Sequence, residues 1–413
     1  MKIFLTIFIL ITGSLYSQCQ GDLNNDGFKN VSDIVALVSQ ILSGDTECEE
    51  EIVYGCLDPE ACNYDVSALV DDESCQYPAE NFDCDGNCLV NVDCAGDCGG
   101  SALSCSWTFV ANEGNYGQSN GTISMISDQG EVYSTENLGE TVQSIEVYNN
   151  KLIVLVNGDS KMKIYDISTS GLSMPGIEID LNGSSPREMT IIGDKLYFTN
   201  WNSQDIKVFN LFTYGIESSI SVSGLPEDIE YDGNHLWVTI PHADSYFSTG
   251  STICKIDPYL NQLIETYEVG DGPQQVAFNG NEVFVSRTFY DSSWNTFHGA
   301  SKLSEDGDII INNYGSGAPC GGAVINHNSN MMRSSGGGLA IMDNNLDLLP
   351  VSIGNFQQTQ VYHIEKIQGN FWFALTDFSD FNEVHVLDDT GQEVSVFQVG
   401  INPGDFAFWQ NND

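Results

Sequence analysis

Twelve residues, from Asp22 to Asp33, set oxygen-bearing groups at a spacing that suits a hard cation. With Asp22 at position 1, Asn24, Asp26, Asn30 and Asp33 fall at positions 3, 5, 9 and 12. Gly27 stands at position 6, where such a loop must turn sharply, and Phe28 at position 7 would add its backbone carbonyl. Oxygens at these intervals wrap one Ca2+ and hand the chain to a helix. Ile34, Val35, Leu37, Val38, Ile41 and Leu42 then follow at helical spacing. The expected metal ligands are therefore Asp22, Asn24, Asp26, Phe28, Asn30 and Asp33. The plainer alternative is a solvated Asn/Asp-rich turn ahead of an amphipathic helix.

A second set of chemically capable residues is spread over the C-terminal three-quarters of the chain. Arg187, Glu188, Glu227, Asp228, Gln274, Gln275, His363 and Asp405 each sit at the start of an apolar strand-like run. Longer connections after such runs carry His242 and the aromatics Trp201, Tyr246, Phe247, Phe289, Tyr290, Trp294, Phe297, Phe378 and Phe381. Rigid aromatics bury much area at little entropic cost, and convergent polar groups fix orientation, so the two sets together read as a ligand- or protein-binding face. Its expected residues are Arg187, Glu188, Trp201, Glu227, Asp228, His242, Gln274, Tyr290, Trp294, His363 and Asp405. The alternative is that these aromatics pack loop against loop. No GxSxG elbow, HExxH pair or phosphate loop is present, and no catalytic residue is assigned. His242, His298, His327 and His363 are the histidines placed to approach the face. A Glu188–Glu227–His363 grouping would suit a metal-assisted lyase or lactonase.

The elements that must position these residues are short hairpins that recur. Leu225 to Thr239 reads as a strand, a turn at Asp232-Gly233-Asn234, and a second strand. Related copies run Ser144–Leu155, Arg187–Thr199, Gln274–Ser286 and Ile364–Ala374, with a degraded copy at Ala323–Ser334. The first apolar residues after the turns are Leu152, Leu196, Leu236, Val283, Met331 and Phe371, spaced 44, 40, 47, 48 and 40 residues apart. That period marks propeller blades, because one small sheet buries both faces only by stacking on its neighbours. At the far end Pro403–Trp409 reads as an inner strand with no partner, and Trp107–Glu113 as a second strand with no first. Joining them closes a ring of seven blades without a free edge. The fold expected is mainly β: a seven-bladed β-propeller with a small N-terminal calcium-loop helix and a disulfide-rich spacer. The turns at Asn149-Asn150, Gly193-Asp194, Gly233-Asn234, Gly280-Asn281 and Gly369-Asn370 share one face, leaving the aromatic loops on the other.

The 413 residues carry a formal charge of −45 with 13 Lys and Arg, a balance that opposes binding to nucleic acid phosphates. Residues 1–17 read as a signal peptide: Lys2, an apolar Ile3–Ile11, then small Ser14 and Ser17. Cys19 raises lipidation as an alternative to simple secretion. No later run is apolar enough for a transmembrane helix, so no span is expected in the mature chain. Ten of twelve cysteines fall between Cys19 and Cys105, which after a signal peptide reads as disulfides. Eight cysteines allow 105 connectivities, so none is assigned. Cys254 and Cys320 would form a disulfide between blades or stay as buried thiols. The domains expected are 18–45 for the calcium loop and helix, 46–105 for the Cys-rich acidic spacer, and 106–413 for the propeller.

Three resemblances follow from these motifs. The stretch GDLNNDGFKNVSDIVALVSQIL, Gly21 to Leu42, resembles one repeat of a type I dockerin, an EF-hand-like module that plugs into cohesins. The resemblance implies calcium binding, a cohesin-type partner and an association with polysaccharide catabolism, although dockerins carry two repeats and one is found. The segment from Tyr54 resembles Cys-rich linkers of secreted, marine-type bacterial proteins, which implies a stalk. The repeats, in particular Pro226–Val238 and Gly272–Gly280, resemble YVTN-type bacterial surface propellers. The opening Phe109–Ser124 is similar to the start of surface propellers of gut and marine bacteria, some of which capture cobalamin. Together these imply a secreted or cell-surface protein whose propeller binds a ligand or protein without catalysis. The alternatives are a propeller lyase or lactonase, or a component of a dockerin–cohesin assembly.

Overall fold

The computed structural model describes residues 21–24, 26–44, 52–94, 96–317, 322–379 and 381–411, apart from the side chain of Ser352. The expected signal peptide, Cys19, Cys48 and Cys320 lie outside the described residues. The chain divides into two compact units, residues 1–89 and 90–413.

In the first unit the Asp22–Asp33 loop leads into α1, Val31–Ser43. Asn30 caps it: its side chain accepts from Ser32 N, and Asp33 reaches back to accept from Asn30 N at 2.7 Å. This reciprocal box satisfies amides that a helix start leaves unpaired. Gly44 ends the helix in the left-handed region, at φ 78°. Further on, strands β1 (Tyr54–Gly55) and β2 (Val70–Asp71) pair in parallel. So small a sheet cannot hold itself, and bonds Cys56–Cys75 and Cys62–Cys84 brace it.

The second unit opens with the Cys94–Cys105 bond; Cys98 in this unit and Cys88 in the first are disulfide-bonded as well. From Ser106 onward, seven four-stranded antiparallel sheets follow, one of them with a short extra strand. These are the expected blades. Numbered from Trp107, their innermost strands are Pro403–Gln410, Val142–Tyr148, Pro186–Ile192, Ile229–Tyr231, Pro273–Asn279, Val324–His327 and Val361–Ile367. Blade one is closed as the sequence predicts. The C-terminal strand lies inside Ser106–Asn112, with Trp107 opposite Trp409 and Val110 opposite Phe406. The degraded copy also forms its hairpin, Val324–His327 with Asn330–Ser335.

Alternation in the second strand of each blade drives the packing. Trp107, Phe109 and Ala111 of blade one turn the same way and meet Leu152, Val154 and Val156 of blade two in one buried cluster. Ile153 and Leu155 face the other way, onto Leu196 and Phe198 of blade three. Burying a side chain of this size contributes roughly 1.5–3 kcal/mol, and every blade repeats the arrangement. The inner turns need backbone of the left-handed kind: φ is 63° at Gly193, 98° at Gly233 and 60° at Gly280. No atom lies within 4 Å of where a Cβ would sit at these three glycines, so conformation and not space selects the residue.

Candidate functional site

The inner strands slip register at one end. Irregularities fall between Val142 and Ser144, Pro186 and Met189, Pro273 and Val276, and Val361 and His363. A bulge releases a residue from the ladder and re-aims its side chain. Hydroxyls on the second strands satisfy the freed amides. Thr199 Oγ1 accepts from Glu188 N, Thr239 Oγ1 from Asp228 N, and Ser286 Oγ from Gln275 N, each at 3.0 Å. Thr199 and Thr239 also donate to the next blade, to Glu227 O at 2.6 Å and Gln274 O at 2.9 Å. In the sequence these hydroxyls stand only as the last residues of the hairpin copies, and the linear pattern does not announce this role.

Glu188, Asp228, His363 and Asp405 share one position on four blades. Each directly precedes a residue paired with its second strand: Met189 with Phe198, Ile229 with Val238, Ile364 with Phe373, Phe406 with Val110. Two residues further along, on the same strand face, come Glu230 and Glu365, and Glu146 holds the matching place in blade two. All of them line a cavity of about 790 Å3 that opens at the bulged end of the propeller. Each of the eleven expected binding residues, from Arg187 to Asp405, lies in its wall. The expected Glu188–Glu227–His363 grouping does not form. Arg187 Nε donates to Glu227 Oε1 and Oε2 at 3.2 and 3.0 Å, and Gln143 Nε2 donates to Glu188 Oε1 at 3.1 Å. His363 instead meets Glu365 and Asp405.

One side of the mouth is aromatic. Ring centroids run from Trp201 to His242 (5.4 Å), to Tyr246 (5.0 Å), to Phe247 (5.6 Å), to Trp294 (5.9 Å) and to Tyr290 (5.9 Å). Phe247 and Trp294 remain exposed, while the Nε1 of Trp201 is buried without a hydrogen-bond partner. Other expected rings pack locally: Phe297 stacks on Phe289, Phe378 meets Tyr362, and Phe381 joins a core cluster. His327 sits at the turn end of its strand, beside Asn328, away from the mouth. His298 lines a smaller pocket with Gln275 and Arg333.

Electrostatically the cavity is lopsided. Glu113, Glu146, Glu188, Glu227, Asp228, Glu230, Asp291, Glu365 and Asp405 line it, against a single arginine, Arg187. That guanidinium is already committed. Besides Glu227 it gives Nη1 to Gln143 Oε1 at 2.6 Å and lies 4.3 Å from the Trp201 ring centre. Burial opposes its charge, but Glu227 and the bonds to it outweigh burial and keep Arg187 protonated. Burial pushes the carboxyls up: Glu146 and Asp405 to about 7, Glu230 and Glu365 to about 8. The charge of Glu365 adds to the rise at Glu146, Glu230 and Asp405. Glu188 and Asp228 rise strongly for the same first reason, followed by Asp405 and Glu230 respectively. Glu230 is nonetheless exposed, so solvent moderates the repulsion there. Burial holds the imidazoles of His242 and His363 below their ordinary value, hence neutral near pH 7.

Two of these carboxylates also tie blades together. Asp405 Oδ2 accepts from Ile145 N and Asp228 Oδ2 from Val276 N, both at 2.7 Å and both across a blade boundary. The sequence carried a signal for the deeper acids that was overlooked: Ile145-Glu146, Ile229-Glu230 and Ile364-Glu365 repeat the same dipeptide at the same place in three copies.

No family model matches the chain, and no curated protein sequence matches it. Solved structures share its fold. A protein from Lactobacillus plantarum aligns over 74% of this chain and 99% of its own, at 10% identity and TM-score 0.55. A candidate 6-phosphogluconolactonase from Bacteroides uniformis aligns over 74% and 100%, at 14% identity and TM-score 0.54. One from Bacteroides fragilis aligns over 75% and 100%, at 14% and 0.52. Similarity at this level defines the class as a seven-bladed β-propeller and carries no chemistry across.

Proposed function

We propose that the propeller is a non-enzymatic binding module whose cavity captures a small organic cation. The observation that carries this reading is the aromatic arc from Trp201 to Trp294 standing over a floor rich in carboxylates, with Arg187 already neutralised by Glu227. Ring faces attract cations, and a cation in the bore favours the charged form of the raised acids below, which then supply the countercharge. The test is calorimetric titration of the full chain, in chelator, with an aryl-trimethylammonium probe and its neutral isostere. Binding of the cation alone, weakened about tenfold by Trp294→Ala, supports the reading; equal affinity for both probes or none for either overturns it. A lyase or lactonase acting in the same cavity is the second reading, favoured by the convergence of His363 with Glu365 and Asp405.

The N-terminal loop is proposed to bind Ca2+. The donor set of Asp22, Asn24, Asp26, Phe28 carbonyl, Asn30 and Asp33 is all oxygen, as that ion prefers. The loop is also wound inward: Asp22 accepts from Asp26 N and Gly27 N, and Asp33 from Leu23 N. Gly27 has φ 82°, the turn that position 6 needs. The apolar residues of α1 stay exposed, Ile34 at 60% and Leu42 at 81%, which suits a protein partner of the cohesin type. Paired cysteines fit a secreted or cell-surface location, and among the described residues no helix is long and apolar enough to cross a membrane.

A further inference from the structure

Below the aromatic arc, a nitrogen of His363 and one carboxylate oxygen from each of Glu365 and Asp405 lie within 4.8 Å of one another. His363 Nε2 is shut off from solvent and has no hydrogen-bond partner, yet it stands 3.6 Å from Glu365 Oε2. A buried polar atom left unpaired is destabilising, and here it faces two acids. Donors that share an ion at about 2.1 Å stand roughly 3–4 Å apart, so this spacing needs little adjustment.

The three residues are also held in place. Asp405 Oδ2 accepts from Ile145 N at 2.7 Å and Oδ1 from Phe406 N at 2.8 Å, which fixes the carboxylate and leaves its other lone pairs toward the bore. The His363 ring lies against Phe406, centroids 5.7 Å apart. His363 and Glu365 sit two apart on one strand face of blade seven, and Asp405 enters from the adjoining blade one. Besides Glu365 and Asp405, the described residues of the cavity wall include seven carboxylates and one committed arginine, an imbalance that a bound divalent cation reduces.

We infer that the propeller bore holds a divalent first-row metal ion, of the Zn2+ or Mn2+ class, on His363, Glu365 and Asp405. An imidazole with two carboxylates suits those ions, whereas Ca2+ takes six to eight oxygens. The chain thus has two ion sites of different chemistry, oxygen-only at Asp22–Asp33 and mixed nitrogen and oxygen in the bore. Three protein donors leave a coordination position open toward the cavity. The inference rests on neither functional reading, since an ion here can anchor a ligand or polarise a substrate.

The test uses the full chain, stripped with chelator and then held in excess Ca2+ to fill the loop. Zn2+ is added, free ion is removed by gel filtration, and metal is counted by mass spectrometry. One Zn2+ per chain is expected. His363→Ala should weaken it at least about 100-fold. Undiminished Zn2+ in His363→Ala, or none in the wild type, overturns the inference. Should His363→Ala fail to fold, His363→Gln and the visible spectrum of the Co2+-loaded wild type decide. Loss of the Co2+ bands in His363→Gln supports the site, and their absence from the wild type removes it. Organic-cation binding is measured in chelator, so that reading stands or falls separately.

Discussion

Thr239 does three jobs with one hydroxyl and one methyl. It accepts the amide of Asp228, donates to Gln274 O in the next blade, and is fully buried. Thr239→Val keeps the shape and removes both hydrogen bonds, leaving Asp228 N without a partner. At about 1–3 kcal/mol for a stranded buried group, the substitution should lower the midpoint of chemical denaturation visibly. Gly193→Ala, on the turn face, meets open space but a φ of 63°. It should cost about 1 kcal/mol through backbone strain alone, with no change in ligand binding.

The raised carboxyls give the molecule a pH signature, and its sign can be worked out. An acid whose folded pKa lies above its unfolded value binds more protons when folded. Stability then falls as pH rises from the unfolded value to the folded one. For Glu146 that window runs from 4.5 to about 7, and for Glu230 from 4.5 to about 8. Glu146 is raised by burial and by Glu365; Glu230 is raised by burial, then by Glu365, Glu146, Glu188 and Asp405. In chelator, the wild type should lose melting temperature steadily between pH 5 and 8. Glu146→Gln with Glu230→Gln should flatten that slope and raise the melting temperature at the alkaline end. A slope undiminished by both changes would place the pH dependence elsewhere.

At the scale of elements, the hairpin was the legible unit. Each copy couples an alternating apolar strand to a turn that needs positive φ, and both are local properties written in consecutive residues. Even the degraded Ala323–Ser334 copy kept its alternation, and it folds as a hairpin. The mouth of the cavity was legible for a related reason. Residues at the start of inner strands must lie at one end of the ring, so Arg187, Glu188, His363 and Asp405 arrive there whatever the loops do. What the sequence hid was relational. That Glu227 belongs to Arg187 and not to His363 depends on the stagger between blades three and four. The Cys56–Cys75 and Cys62–Cys84 pairings depend on a fold with almost no periodic pattern to read. Glu146, Glu230 and Glu365 line the bore two residues beyond the mouth positions; the repeated Ile-Glu dipeptide marks the place, but not that it faces a cavity.

At the scale of the whole molecule, the ring is held shut by a single strand. Pro403–Gln410 pairs with Ser106–Asn112 through seven register partners and places Phe406 and Trp409 in two different buried clusters. It also supplies Asp405, which ties blade one to blade two, while Trp409 Nε1 donates to Asn150 of blade two at 2.9 Å. Removing residues 403–413 therefore does more than shorten a sheet. It exposes the edge of Ser106–Asn112, an unpaired strand that invites association. It also strips the apolar cover from Val110 and Trp107, at roughly 1.5–3 kcal/mol for each large side chain uncovered. The packing of blades two to seven on one another in sequence, by contrast, uses strands elsewhere in the chain and is untouched. The truncated chain should consequently keep strand-rich circular dichroism but lose its sharp thermal transition and self-associate in sedimentation. Supplying residues 403–413 as a separate peptide should restore the transition. A truncated chain that stays monomeric and melts as the full chain does would mean that ring closure is not what makes the seven blades one cooperative body.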